Sequence, residues 1–345
     1  MRKKIIVEDC HVSVAKKTKQ LLAFNPEKDF FAWKKELKEK FIELSGIHEI
    51  EANACPLNFE IEEEVQMEGY KRIRFTIESE KNAIVPCYVL IPDGAKEKLP
   101  VVITLQGHSS GFHNSIGEVK FAGDIDYQPR GQFAVQAVRE GYIAVAIEQR
   151  AMGERRARVF NHDGAQMCSY EANNAFILGR TIVGERTWDI SRVIDALSNF
   201  SECDTDKIVV TGNSGGGTAT FYSACYDERV KIAVPSCAFC PYEDSIMAIF
   251  HCSCNYIPSA FKYFEMQDLA GLIAPRTFIP VAGKVDDIFP IDGVRRGFET
   301  VKDIYAVAGA PENCKLVETP KGHWWCVDII WPTIKEEMKK LGWIK

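Results

Sequence analysis

From Val101 onward the chain repeats one pattern. Short apolar runs, "VVITL" (101–105), "YIAVAI" (142–147), "KIVVTG" (207–212), "KIAVP" (231–235), "TFIPVAG" (277–283) and "KLVET" (315–319), alternate with segments of helical periodicity such as "GQFAVQAVREG", "RTWDISRVIDALSNF" and "DGVRRGFETVKDIYAVAG". A strand that is apolar at every position has no solvent face, so both of its faces must be covered. The alternation therefore predicts an α/β fold, a mostly parallel sheet with helices on both faces. The 345 residues, 46% of them hydrophobic, suffice for one large core, and no repeat or low-complexity tract forces a boundary.

The segment before Val101 follows other rules. "NPEKDFFAWKKELKEKFIELSGI" (25–47) places Phe30, Trp33, Leu37, Phe41 and Leu44 at helical spacing. Asn25 is the expected N-cap, Pro26 the first helical residue and Gly46 the end. "FEIEEEVQ", "YKRIRFTIES" and "AIVPCYVLIP" then read as an antiparallel meander. The expected organisation is a helical N-terminal extension over 1–56 and an α/β domain over 57–345.

One stretch carries chemistry. In "VVTGNSGGGTATF" (209–221), Gly212-Asn213-Ser214-Gly215-Gly216 fits G-x-S-x-G between a buried strand and a helix. This is the pattern of a nucleophile elbow, a strained turn that lifts a serine hydroxyl above the sheet. A side chain at Gly212 or Gly216 would collide with the neighbouring strand or helix. The other reading is a glycine-rich turn that only lets a helix pack closely. Two later segments supply the missing members of a triad in the order serine, acid, histidine. After "TFIPVAG", the stretch Gly283-Lys284-Val285-Asp286-Asp287-Ile288-Phe289-Pro290 resembles the acid loop of α/β-hydrolases. Alignment on Gly283 and Pro290 selects Asp286, with Asp287 the runner-up and Glu243 or Asp244 in "CPYEDS" a further site for the acid. In "KLVETPKGHWW" a strand runs into His323, where the general base belongs. The amide of Gly215, at the helix start, and that of His108, in the loop "QGHSSGFHNS" after 101–105, are the expected oxyanion donors. His108 and His113 either line the entrance or stand in solvent.

These residues resemble the α/β-hydrolase-fold serine esterases of the acetyl xylan esterase and cephalosporin C deacetylase type, and the dienelactone-hydrolase-like proteins near them. The resemblance rests on "AIEQRAMGERR" (146–156), "GRTIVGERTWDISRVIDAL" (179–197), the elbow, and the run from "DLAGLIAPR" through "KVDDIFPIDG", and it covers residues 80–345. It implies hydrolysis of small esters, often acetyl groups on sugars, without a cofactor. Gln106 departs from it, since many of these enzymes carry His-Gly where this chain has Gln106-Gly107. Two other classes stay open. A peptidase of the prolyl-oligopeptidase type shares the catalytic domain, but the segment before Val101 is too short for a propeller. A non-catalytic binding protein on the same fold is the other.

The insert "CAFCPYEDSIMAIFHCSCNYIPSAFKY" (237–263) is a candidate lid. Cys237 and Cys240 form a zinc-like half-site, but Cys252 and Cys254 are separated by one residue only, so buried thiols rather than a metal are expected. Trp324 and Trp325 are either a sugar-stacking wall or plain core. Arg150, Arg155 and Arg156 either recognise an anionic substrate group or brace the loop, as Glu148 could. A net charge of -6 with interspersed charges argues against nucleic acid as a partner, and no apolar run is long enough for a membrane span. A small-molecule ester is the expected partner. Twelve cysteines without a recognisable secretory signal suggest reduced thiols in a cytoplasm.

Overall fold

The computed structural model describes residues 6, 8–157, 159 and 167–345. Helices α1 (Glu8–Ala15), α2 (Phe30–Ser45) and α3 (Ile47–Glu51) precede the sheet. An antiparallel meander follows, β1 (Glu60–Met67), β2 (Tyr70–Glu80) and β3 (Ala83–Pro92). The alternating part then runs β4 (Leu99–Leu105), α4 (Phe133–Arg139), β5 (Ile143–Ile147), α5 (Met167–Ile177), α6 (Ile182–Ala196), β6 (Cys203–Asn213), α7 (Gly215–Tyr226) and β7 (Val230–Ser236). It ends with α8 (Met266–Ile273), β8 (Thr277–Phe278), β9 (Val281–Gly283), α9 (Ile291–Val307), β10 (Val317–Thr319) and α10 (Val327–Lys340).

The ten strands among the described residues join one sheet in the order β1-β2-β3-β5-β4-β6-β7-β9-β10, with β8 beside β7. From β5 to β10 every pairing is parallel. Alternate side chains of the same strand enter opposite cores, as the period of two requires. Val101, Ile103 and Leu105 pack with Ile143, Val145, Ile208 and Val210 on one face, beneath α2, α3, α6, α7, α8 and α9. Val102, Ala144, Ala146 and Val209 face the other way, onto α4 and α10. This is the α/β architecture that the apolar runs predict.

Two elements differ from the sequence reading. The run 277–283 is two strands rather than one, because Pro280 has no N–H to donate. The Ile279 amide and the Pro280 carbonyl still bond to Ala233 and Val317. Helix α2 begins four residues later than expected. Asp29 is its N-cap, accepting from the Ala32 amide at 2.7 Å, while the Asn25 side chain accepts from Glu27 in a separate turn. The helix ends where predicted, on Gly46 at φ 74°. Its face of Trp33, Leu37 and Phe41 is buried in the main core, stacking Phe41 on Tyr222 of α7. Each such side chain contributes roughly 1.5–3 kcal/mol.

The cap assignment is testable. Asp29→Ala should cost about 1 kcal/mol in urea unfolding and Asn25→Ala less than about 0.5 kcal/mol; the reverse order would return the cap to Asn25.

Candidate active site

The residues singled out in the sequence meet at the carboxyl ends of the parallel strands. Ser214 follows β6, Asp286 follows β9, His323 follows β10 and His108 follows β4. Ser214, His323 and His108 line one cavity of about 440 Å³, together with Asn114, Tyr127 and Arg130.

Ser214 sits at φ 57°, ψ −123°. This region costs a non-glycine residue about 1–3 kcal/mol and persists only where the surroundings enforce it. They do so here by close approach. A Cβ on Gly212 or on Gly216 would run into the Leu105 carbonyl of β4, so helix α7 leaves the sheet against bare backbone. The Ser214 amide donates to Ser236 at 2.9 Å and its carbonyl accepts from Thr218 at 2.8 Å, fixing the turn from both sides.

His323 Nδ1 pairs with Asp286 Oδ2 at 3.0 Å. The other oxygen, Oδ1, accepts from the amides of Ile288 at 2.9 Å and Phe289 at 3.1 Å. Burial alone would raise the Asp286 pKa, but the hydrogen bond and charge of His323 and these two amides outweigh it, and the carboxyl stays below its ordinary value. Phe289 also stacks on the His323 ring at 5.9 Å between centroids. Asp287 is exposed, and Asp244 pairs with Arg296 on α9. Gly215 opens α7, where an amide has no intrahelical acceptor. The His108 amide nitrogen lies 3.7 Å from the place where a Gly215 Cβ would stand, so both backbone donors border the same space.

Gln106 holds the loop from below. Its Nε2 donates to Glu148 Oε1 at 3.1 Å and its carbonyl accepts from Gln149 at 2.5 Å. Glu148, fully buried, also accepts from the Phe112 and Glu154 amides. Burial pushes its carboxyl up to about 8. Of the arginines, Arg150 and Arg155 brace rather than bind. Asp189 receives Arg150 Nε at 2.9 Å and Arg155 Nη1 at 2.7 Å, and Glu80 receives Arg150 Nη2 at 2.7 Å. Arg156 Nη1 donates to the Gly153 carbonyl at 2.7 Å.

Other expectations divide. His113 neither lines the cavity nor meets solvent; it is buried, bonded to Asp124 at 2.9 Å. Trp325 is core, donating to Gln136, whereas Trp324 is half-exposed with the Arg130 guanidinium 3.7 Å from its ring centroid. Part of the insert, Ile249 to Cys252 and Asn255, walls the cavity. As the spacing of Cys252 and Cys254 predicts, its four cysteines do not form one group. Cys237 lies against the Gly322 and Trp324 carbonyls and Cys240 against Pro290, away from Cys252 and Cys254. Arg130, Thr218 and Asn255 carry no signature that a single sequence could reveal, because separate loops bring them together.

A sequence profile of the Abhydrolase family matches residues 5–324. The chain belongs to the Abhydrolase family. The match takes in the N-terminal helices as well as the sheet. YtaP of Bacillus subtilis (strain 168), provisionally named a hydrolase, is 26% identical over 241 residues, 69% of this chain and 77% of that protein. Among solved structures, a provisionally assigned acetyl xylan esterase of Bacteroides fragilis NCTC 9343 superposes with a TM-score of 0.79 at 19% identity, covering 97% of this chain and 96% of the other. A glucuronoyl esterase of Solibacter usitatus gives 0.65 at 15% identity, covering 93% and 96%. At these identities the structural likeness shows the fold.

Glu148 makes a prediction about pH. Its pKa is about 8 in the folded chain against an ordinary 4.5, so folding holds a proton that the unfolded chain releases. That contribution is complete below pH 4.5 and lost as pH rises toward 8. Urea unfolding at pH 5 and pH 8 should show a smaller loss for Glu148→Gln than for the wild type; equal losses would mean that Glu148 is charged in the folded protein. The buried Glu265, raised to about 7, contributes in the same sense to both proteins.

Proposed function

We propose that the protein is a serine hydrolase of small carboxylic esters, with acetyl esters on carbohydrates as its substrate class. The observation that carries this reading is that His323, paired with the buried Asp286, lines the same cavity as Ser214, a serine in a strained turn.

In this reading Ser214 Oγ attacks the ester carbonyl while His323 takes its proton. The carbonyl oxygen, now an anion, accepts from the Gly215 and His108 amides. His323 returns the proton to the leaving alcohol, and the acyl group remains on Ser214. A water deprotonated by His323 then attacks the acyl-enzyme and releases the acid. Asp286, held by two amides, accepts from His323 Nδ1–H and stabilises the imidazolium at each stage. The chemistry needs no cofactor.

The cavity supports a sugar ester. Asn114, Tyr127, Thr218 and Asn255 offer donors and acceptors for hydroxyl groups, and Ile249, Phe250, Ile288 and Phe289 give an apolar wall. The names of the structural neighbours, acetyl xylan and glucuronoyl esterases, point the same way. Arg130 lines the cavity, and among the described residues no carboxylate forms an ion pair with it. A substrate carrying a carboxylate fits it. The insert 237–263 acts as a wall over the acyl site. No helix among the described residues is long and apolar enough to cross a membrane. The twelve cysteines, none in a disulfide, favour a reducing cytoplasm.

The test is release of acetate from p-nitrophenyl acetate and from acetylated xylo-oligosaccharide, with an aminoacyl anilide as the amide control. Both esters should turn over and the anilide should not. Ser214→Ala should lower kcat about 10⁴- to 10⁶-fold and Asp286→Asn about 10⁴-fold, with Asp287→Asn near the wild type. Comparable losses at the two aspartates would move the acid, and anilide turnover would make the protein a peptidase.

A further inference from the structure

Beside the esterase machinery lies a second constellation that the proposed reaction does not use. His108 Nε2 and the sulfurs of Cys168, Cys252 and Cys254 all lie within 4.8 Å of one another. His108 Nε2 lies 3.1 Å from Cys254 Sγ. We propose that these four residues bind one zinc ion in a closed, structural Cys3His site, which fastens the cavity wall to the loop carrying His108.

Three features support this. The first is the donor set. Three thiolates and one imidazole complete a four-coordinate zinc shell, with no position left for water, as in structural rather than catalytic sites. Soft sulfur donors select zinc over calcium or magnesium, which take oxygen. The second is charge. Arg186 on α6 is 4% exposed and donates to the Arg150 carbonyl and to Cys168 Sγ at 3.4 Å, and among the described residues no carboxylate pairs with it. A buried guanidinium needs an anion. Zinc with three thiolates carries one negative charge, so Arg186 makes the whole neutral. With protonated thiols and no metal, Arg186 would have no counter-charge in this cluster. The third is chain geometry. Cys252 and Cys254 flank a tight turn in which the Asn255 amide donates to the Cys252 carbonyl at 3.0 Å, which brings the two sulfurs to one point despite the single residue between them. The other ligands come from α5 and from the loop after β4, which is why spacing within the insert did not show the site.

On binding, the three thiols release their protons to solvent and His108 ligates as the neutral ring through Nε2. The consequence for the enzyme rests on the ester-hydrolase reading, whereas the site itself does not. The His108 ring packs against the start of α7, where a Gly215 Cβ would lie 3.2 Å from it, and its amide is an oxyanion donor. Cys252 and Ser169, the neighbour of Cys168, line the cavity. One ion would thus hold the donor loop, α5 and the insert in register.

The full chain, prepared without a histidine tag in reducing, chelator-free buffer, should carry about one zinc by elemental mass spectrometry. Exchange with cobalt should give the thiolate charge-transfer and ligand-field bands of a tetrahedral site. Cys168→Ser and Cys254→Ser should each lose the metal, Cys237→Ser and Cys240→Ser should keep it, and Arg186→Met should weaken zinc binding by about 10- to 100-fold. Ser214→Ala should bind zinc as the wild type does, so the ester reading and this one fail separately. If the ligand variants do not fold, the cobalt spectrum of the wild-type chain decides. A reduced, folded chain that takes up neither zinc nor cobalt at equimolar ion would overturn the proposal, as would a Cys168–Cys252 disulfide in the protein as purified.

Discussion

The contact between helix α7 and the Leu105 carbonyl of β4 sets the geometry of the site. Gly212 and Gly216 leave no side chain between them and that oxygen, so the helix starts directly on the sheet. The turn that joins β6 to α7 is then too sharp for a relaxed backbone, and Ser214 takes the strain at φ 57°. The same approach brings the loop after β4 beside the first turn of α7, which puts the His108 and Gly215 amides next to each other. One steric fact thus places the serine hydroxyl and both backbone donors.

Loops that carry such groups must be held from beneath. Here the support is polar and buried. Glu148 ties the loop after β5 to Gln106 and Phe112, and Asp189 on α6 gathers Arg150 and Arg155 from the segment after β5. The pKa of Glu148 is raised, whereas that of Asp189 is lowered. Burial acts on both, yet the two guanidinium groups at Asp189 outweigh it and hold that carboxyl below its ordinary value, whereas the Glu148 bonds come mainly from neutral amides. Asp286 belongs with Asp189, since its partner is a ring that becomes a cation when it takes a proton. The site therefore rests on carboxyl groups whose pKa values their neighbours and burial move in opposite directions.

Much of this was legible because local chemistry determines it. The apolar runs on β4, β5, β6 and β7 identify buried strands, and the meander before them shows in alternation. G-x-S-x-G, Gly283–Pro290 and His323 are legible for the same reason, since each lies on a loop fixed by its own strand. What was not legible depends on distant partners. Asp29 and Asn25 are both good caps by residue type, and only the geometry of the Ala32 amide chooses between them. Arg130 reads as an ordinary loop arginine until Trp324 is set beneath it. His113 reads as solvated until Asp124 folds over it, and Cys168 has nothing to do with Cys252 until α5 and the insert meet.

In the reaction we propose, Ser214 is the nucleophile. The direct measurement is covalent labelling of the wild-type chain with a fluorophosphonate, followed by peptide mapping. Ser109 and Ser169 also line the cavity, so the experiment offers real competitors. A single phosphonate is expected on the peptide carrying Ser214, with labelling that vanishes when the protein is unfolded. A label on Ser109 or Ser169, or a folded chain that hydrolyses esters while Ser214 stays unmodified, would contradict it.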